Sequence, residues 1–234
     1  MDLNKSEKKF CFLIPARGGS EGIKNKNLKK IKNKSLVAHA ITFSKLFSNN
    51  ESIFVNTDNK KIIHEAIRNN VNYIKRPAKL AGSRISDYKI LDHTIKNIAP
   101  SYKYIIYLQP TSPFRRKKDL SEAIKLIKKK NYDSIWSVSK IDKKFHPLKV
   151  LVNKNDKLYL FDKKGEDIIA RQMLKNSFIR NGIFYVFRIS SLIKSKTIYL
   201  NKCGFKIITN KLVNIDTPED LKKARILGKK NKFI

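Results

Sequence analysis

Cysteine, acidic residues and long apolar runs are all scarce in this chain. Only Cys11 and Cys203 occur in 234 residues, with no CxxC pair. A disulfide framework and a structural zinc site are therefore not expected. The most apolar runs, FCFLI (10–14) and YIIYL (104–108), fall far short of the ~20 residues that span a bilayer. The opening MDLNKSEKKF is charged and lacks a long apolar stretch, so no secretory leader is expected. These shortages point to a soluble, cytoplasmic chain with no membrane partner. Disorder is excluded as well. Hydrophobic residues at 41% and aromatics at 10% supply enough apolar surface to offset chain entropy. A chain of this length buries roughly 70% of its unfolded surface, so one domain over 1–234 is expected.

Asp and Glu number 19 against 52 Lys and Arg, a net charge of +33. Such a charge points first to nucleic acid or another polyanion. The detail points away from a specific nucleic-acid partner. About four in five of the basic residues are Lys, and Ile and Asn are also abundant against typical usage. These three residues share AT-rich codons. The short lysine runs at 128–130, 143–144 and 229–230 carry no interleaved aromatics for base stacking. A solvated surface that draws anionic substrates from a distance is the better reading.

Short apolar strands alternate with helical stretches through the first two thirds. FCFLI, SIFVNT (52–57), VNYIK (71–75), YIIYL and DSIWSVS (133–139) read as strands. Residues 36–47, 60–70, 87–98 and 118–129 carry apolar residues at helical spacing. This alternation predicts a mostly parallel sheet with helices on both faces. From about residue 140 the pattern loosens. A hairpin arm is expected at 157–166, and strands at 182–189 and 205–209. A last helix begins with Thr217 as cap and Pro218 at its first position. The stretch 140–180 reads as an insertion on one α/β domain.

Three segments carry candidate chemistry. In IPARGGSEGIKNKN (14–27) a buried strand runs straight into glycines flanked by Arg17, Lys24 and Lys26. Glycine lets backbone N–H groups approach phosphate oxygens, so the loop reads either as a triphosphate cradle or as a tight turn with incidental lysines. It matches neither GxGxxG nor GxxxxGK[ST]. LQPTSPFR (108–115) leaves the carboxyl end of YIIYL, where open α/β sheets bind ligands; Gln109 emerges there. In NIDTPEDL (214–221), Asp216 sits at a strand-to-helix junction. It reads as a Mg²⁺ ligand or as a second helix-capping group.

Together the segments resemble the acylneuraminate cytidylyltransferases, which activate sialic acid and related nine-carbon keto acids as CMP-sugars. The resemblance runs in order along nearly the whole chain. It rests on IPARGGSEGIKNKN, VNTD (55–58), RPAKLA (76–81), LQPTSPFR, HPLK (146–149), RQ (171–172) with RNG (180–182) and Tyr185, and NIDTPED. It implies the nucleotide-diphospho-sugar transferase type of fold, with a small inserted dimerisation arm at about 140–180. It implies in-line attack of the acid's anomeric hydroxyl on the α-phosphorus of CTP, with pyrophosphate leaving. Arg17, Ser20, Lys26 and Asn27 would hold the nucleotide phosphates, and Arg76 and Ser86 would lie near the cytosine. Gln109, Arg171, Asn181 and Tyr185 would face the acid, with Arg171 at its carboxylate. Asp216 and Asn214 would hold Mg²⁺. Lys149 would reach a neighbouring subunit's site in a homodimer. Arg17, Lys26 and Asp216 are the residues expected to carry catalysis.

Three departures from the family pattern stand out. Glu21 replaces the usual loop lysine, Asn214 replaces the first Asp of D-I-D, and GSRISD (82–87) differs from the usual small and acidic residues. Three rival readings stand beside this one: a cytidylyltransferase for the eight-carbon keto-deoxy-octulosonate, a nucleotidyltransferase with another sugar or base, and a catalytically silent polyanion binder. The first normally shows GDEP where this chain has LQPTSPF.

Overall fold

The computed structural model describes residues 10–230. Seven strands form the central sheet: β1 (Phe10–Pro15), β4 (Ile53–Thr57), β5 (Asn72–Lys75), β6 (Tyr104–Tyr107), β7 (Ser134–Lys140), β10 (Phe178–Arg188) and β11 (Cys203–Ile207). Two-residue strands β2 (Lys30–Ile31) and β3 (Lys34–Ser35) form a small ribbon. The sheet order is β11-β7-β10-β6-β1-β4-β5. Every pairing is parallel except those of β10, which runs antiparallel between β6 and β7. The fold is thus an α/β sheet, mostly parallel, as the alternation of strands and helices predicts.

The central strands read as continuous apolar runs because both faces are covered. Alternate residues of β1 divide between two cores. Phe10, Phe12 and Ile14 join one face with α1 (Leu36–Ser44), α2 (Lys60–Arg68) and α4 (Lys117–Lys129). Cys11 and Leu13 join the other with α3 (Asp87–Ile95) and α5 (Ile189–Ser195). Caps set the helix starts. Ser35 accepts from the Ala38 N–H at 3.0 Å, and Asn59 accepts from the Lys61 N–H at 2.9 Å. At α6 (Pro218–Lys230) the Thr217 hydroxyl accepts from the Asp220 N–H, while the Asp220 carboxylate accepts from the Thr217 N–H at 3.0 Å. This reciprocal pair is a capping box.

Two helices stop short of their apolar patterns, α1 at Ser44 and α3 at Ile95. Phe47 still packs in the core from the turn beyond α1. Its periodicity therefore reports burial rather than helix.

Residues 141–177 leave the main sheet between β7 and β10, whose ends meet at Lys140 and Phe178. They carry the hairpin of β8 (Leu151–Lys154) and β9 (Lys157–Leu160). Its turn places Asn155 and Asp156 at φ 52° and 61°, the left-handed pair that two-residue hairpins require. This segment exposes Phe145, Leu151, Leu158, Tyr159, Phe161 and Ile169. Among the described residues no helix is long and apolar enough to cross a membrane.

Candidate functional site

The loop after β1 is held open by side chains rather than by regular structure. The Asp58 carboxylate accepts from the Gly18 N–H at 2.8 Å. The buried Asn27 amide donates to the Arg17 carbonyl at 2.9 Å. Gly22 closes against the backbone carbonyl of Asp216, where a Cβ would collide. Sequence-distant segments are stitched to it. The Ile215 N–H donates to the Thr111 carbonyl at 2.9 Å, which ties the NIDT segment to the loop after β6.

The result is a cleft of about 430 Å³ beyond the carboxyl ends of β1 and β6. Arg17, Ser20, Lys26, Asn27, Arg76, Gln109, Asn214 and Asp216 all line it. Lys26 Nζ lies 2.8 Å from Asp216 Oδ1. Asn214 donates through Nδ2 to Asp216 Oδ2 at 2.8 Å and accepts at Oδ1 from the Ser112 hydroxyl at 3.1 Å. Both Asp216 oxygens are therefore engaged. Arg76 is buried and donates from Nε and Nη2 to the side-chain and main-chain oxygens of Asn56, each at 2.8 Å. Burial, with Arg17 adding like charge, pulls its pKa below the usual arginine value. Among the described residues no carboxylate forms an ion pair with Arg76, although the Asp58 charge acts on it, and a buried cation of this kind suits a cleft for anions.

A second cavity of about 240 Å³ adjoins the first, and Asp87, Gln109 and Asn214 line both. Its other walls are Arg180, Asn181, Gly182 and Tyr185. It opens where the β10–β7 register shifts between Arg180 and Tyr185, a bulge that re-aims side chains. Gly182, at φ +70°, makes the turn; a Cβ there would strike the Gln109 side chain. The Asn181 amide accepts from the Ser137 hydroxyl at 2.6 Å and donates to Ser139 Oγ at 3.2 Å. Those bonds fix it to β7.

Three expected site residues lie elsewhere. Ser86 caps α3, accepting from the Lys89 N–H at 3.4 Å, and lines neither cavity. Lys149 and Arg171 sit on the 141–177 excursion and line neither cavity of this subunit. Arg171 has its side chain 73% exposed, 3.7 Å from Asp142.

Four residues were missed. Tyr107 donates its phenol to Asp87 Oδ1 at 2.6 Å, and burial, then the Asp87 charge, pushes the Tyr107 pKa well up. The apolar run YIIYL concealed that polar handle, and Asp87 stood in the GSRISD stretch, where only its departure from pattern marked it. Arg180 was inside RNG but was passed over for its neighbour Asn181. Arg115, fully buried with its pKa down to about 9 through desolvation, donates to the carbonyls of Gln109 and Ile183. It clamps the loop after β6 to β10. The ending of LQPTSPFR was its only signal.

Comparison with known proteins agrees with this geometry. A family model described as Cytidylyltransferase matches residues 11–234. The chain is 25% identical over 218 residues to N-acylneuraminate cytidylyltransferase of Streptococcus agalactiae, covering 91% of this chain and 51% of that protein. It thus spans about half the length of the first curated relatives it matches. It is 24% identical to pseudaminic acid cytidylyltransferase of Campylobacter jejuni, covering 96% and 97%. It is 26% identical to CMP-N,N'-diacetyllegionaminic acid synthase of Legionella pneumophila, covering 91% and 93%. Among solved structures, CMP:2-keto-3-deoxy-manno-octonic acid synthetase complexed with CTP shares the fold, with a TM-score of 0.70, 17% identity and coverage of 95% and 99%. On the span of the family match, the chain belongs to the cytidylyltransferase family.

Proposed function

We propose that the chain transfers CMP from CTP to the anomeric hydroxyl of a nonulosonic acid and releases pyrophosphate. One observation carries the reading: Arg17, Lys26, Arg76 and Asp216 share one cleft, and that cleft opens into a second, smaller one. The larger cleft suits a triphosphate, with Arg17 and Lys26 at the phosphates and Ser20 and Asn27 shaping their loop. Arg76, and the start of α3 that Ser86 caps, form the end suited to the base. The smaller cleft suits the acid, with Gln109, Asn181 and Tyr185 on its walls. Little covalent chemistry falls to the protein. Positioning the two substrates and neutralising charge on the triphosphate lower the barrier.

Asp216 offers one carboxylate at the cleft wall, and Asn214, whose amide now turns Nδ2 to Asp216 and Oδ1 to Ser112, would add a carboxamide oxygen on rotation of that amide. That donor set fits Mg²⁺, which takes one or two protein oxygens and completes its shell with phosphate oxygens and water. When bound, the ion supplies charge neutralisation at the phosphates. Lys26, now paired with Asp216, is placed to turn to an incoming phosphate.

The exposed apolar residues of the 141–177 excursion support a homodimer in which that arm docks on a second copy. Lys149 and Arg171 then reach toward the neighbouring site. The two free cysteines suit a reducing, cytoplasmic setting. The test is pyrophosphate release from CTP and Mg²⁺ with a panel of nonulosonic acids and the eight-carbon keto acid. Release with a nine-carbon acid is expected. Release with the eight-carbon acid alone overturns the substrate, and salt-sensitive DNA binding without CTP turnover overturns the activity.

A further inference from the structure

We propose that Asn56 and His93 are positioning residues for Arg76, and that a proton on His93 weakens nucleotide binding; the proposal rests on the activity proposed above and concerns the base end of its cleft. Asn56 is fully buried near the carboxyl end of β4. Its main-chain carbonyl accepts from the Ala16 N–H at 3.0 Å and from Arg76 Nη2 at 2.8 Å. Its side-chain Oδ1 accepts from Arg76 Nε at 2.8 Å. Its Nδ2 donates to Thr94 Oγ1 at 2.9 Å and to His93 Nδ1 at 3.1 Å, both on α3. Arg76 lines the cleft, and Asn56, Thr94 and His93 do not. These three therefore act on a nucleotide through the guanidinium.

The donor inventory fixes the direction of each contact. An arginine only donates, so Asn56 must turn Oδ1 to Arg76 and Nδ2 to α3. His93 Nδ1 then has to accept, which a protonated imidazole cannot do. A proton on His93 therefore sets two donors face to face. If the Asn56 amide turns over to relieve this, Thr94 can reverse its bond, because a hydroxyl both donates and accepts. Arg76 cannot, and its Nε is left facing an N–H. If the imidazolium swings aside instead, a buried Asn56 N–H loses its partner and the amide is no longer held. Either way the support of Arg76 is weakened. The charges that act on His93 come from Arg76, beyond the end of β5, and from Asp92 and Lys96 on its own helix. Burial, then the Arg76 charge, hold its pKa below the ordinary value against the pull of Asp92, so the ring is mainly neutral at pH 7. It is half-buried, within reach of solvent protons.

Calorimetric titration of CTP with Mg²⁺ between pH 8 and 5.5 tests this on the wild-type chain, His93→Gln and Asn56→Asp, each compared with itself at pH 8. Protonation of the nucleotide is common to all three and cancels in the comparison. His93→Gln supplies a carbonyl where Nδ1 stood and takes no proton. The wild type should lose affinity on acidification by up to roughly 10-fold more than this variant, the scale of one buried donor left unpaired. Asn56→Asp can accept from Arg76 and from a protonated His93 together, so its affinity should fall less steeply than that of the wild type. Inorganic triphosphate, which lacks the base, should lose affinity alike in all three. In the wild type, an NMR titration of the His93 ring should give a lower pKa with CTP bound than without it, because the coupling is reciprocal; this reading needs no buried substitution. Parallel affinity curves for the wild type and His93→Gln, or a His93 pKa that CTP leaves unmoved, overturn the proposal. A wild-type chain that binds no CTP at pH 8 overturns the activity, and the proposal falls with it. Binding without turnover sinks only the activity, and the curves then decide the roles of Asn56 and His93.

Discussion

Lys26 and Asp216 stand 190 positions apart in the chain and 2.8 Å apart in the fold. The pair joins the loop after β1 to the start of α6, and each side chain satisfies the charge of the other. Asp216→Ala should therefore release Lys26 and remove the sole carboxylate proposed for Mg²⁺. Turnover should be abolished, or the Mg²⁺ requirement raised. Arg17→Ala should lower kcat/KM by roughly 10²–10³, the scale of losing one preorganised charge donor. Steady-state kinetics on both variants check this, and wild-type values would refute the site.

Asn214→Asp should act in opposite directions with and without metal. The Asn214 amide now donates to Asp216. A carboxylate there would face another carboxylate, so the metal-free variant should melt at a lower temperature than the wild type. With Mg²⁺ the two charges become ligands, the metal affinity should rise, and activity should hold or increase. Melting curves across a Mg²⁺ titration read both effects.

Gly182→Ala should damage use of the acid more than binding of CTP. The left-handed backbone alone costs an alanine roughly 1–2 kcal/mol, and the new methyl would push Gln109 from the wall both cavities share. The KM for the acid should rise, while the affinity for CTP stays near wild type. An unchanged KM would show that Gln109 has no part in holding the acid.

Stability should fall as the pH drops below 6.5. Burial lowers the pKa of both His39 and His93. A base whose folded pKa is depressed binds protons more readily in the unfolded chain, so its contribution is complete above the unfolded value and is lost on acidification. His93 Nδ1 accepts from the Asn56 amide at 3.1 Å, and Asn56 in turn accepts from Arg76, so protonation loosens the support of Arg76 at the cleft wall. Melting temperatures between pH 8 and 5.5 should decline less in His93→Gln than in the wild type.

The arm offers a test of assembly. Phe161 and Ile169 are 68% and 90% exposed, so replacing both with Ser removes apolar surface without opening a core. Sedimentation should show a shift from dimer toward monomer with the fold intact. A wild-type chain that is monomeric at all concentrations would refute the dimer.

Much of this architecture was readable beforehand. Strands β1 and β6 announced themselves because burial on both faces leaves no polar alternation. Thr217 and Pro218 marked the last helix through cap chemistry that needs no tertiary contact. The direction of β10 was not readable, because a strand buried between two others has the same composition whichever way it runs. The wall of the smaller cavity was equally hidden. It depends on a bulge at Asn181–Gly182 that brings Arg180 beside Trp136 and Tyr199, and pairings between distant segments decide that. Arg171 was assigned to the acid by resemblance alone, and its place on the arm depends on how 141–177 leaves the sheet.

The late position of Asp216 bears on biosynthesis. A ribosome delivers the phosphate-side loop early, yet β10, which fills the gap between β6 and β7, emerges only after residue 178, and Asp216 later still. Contacts so distant in sequence form slowly, and nascent chains fold from their amino end. Until the final helix emerges, the loop presents Lys26 without its counter-charge, and the slot for β10 stands open. Closure of the cleft thus waits for the later part of the chain: fragments ending before residue 216 lack the carboxylate that completes it.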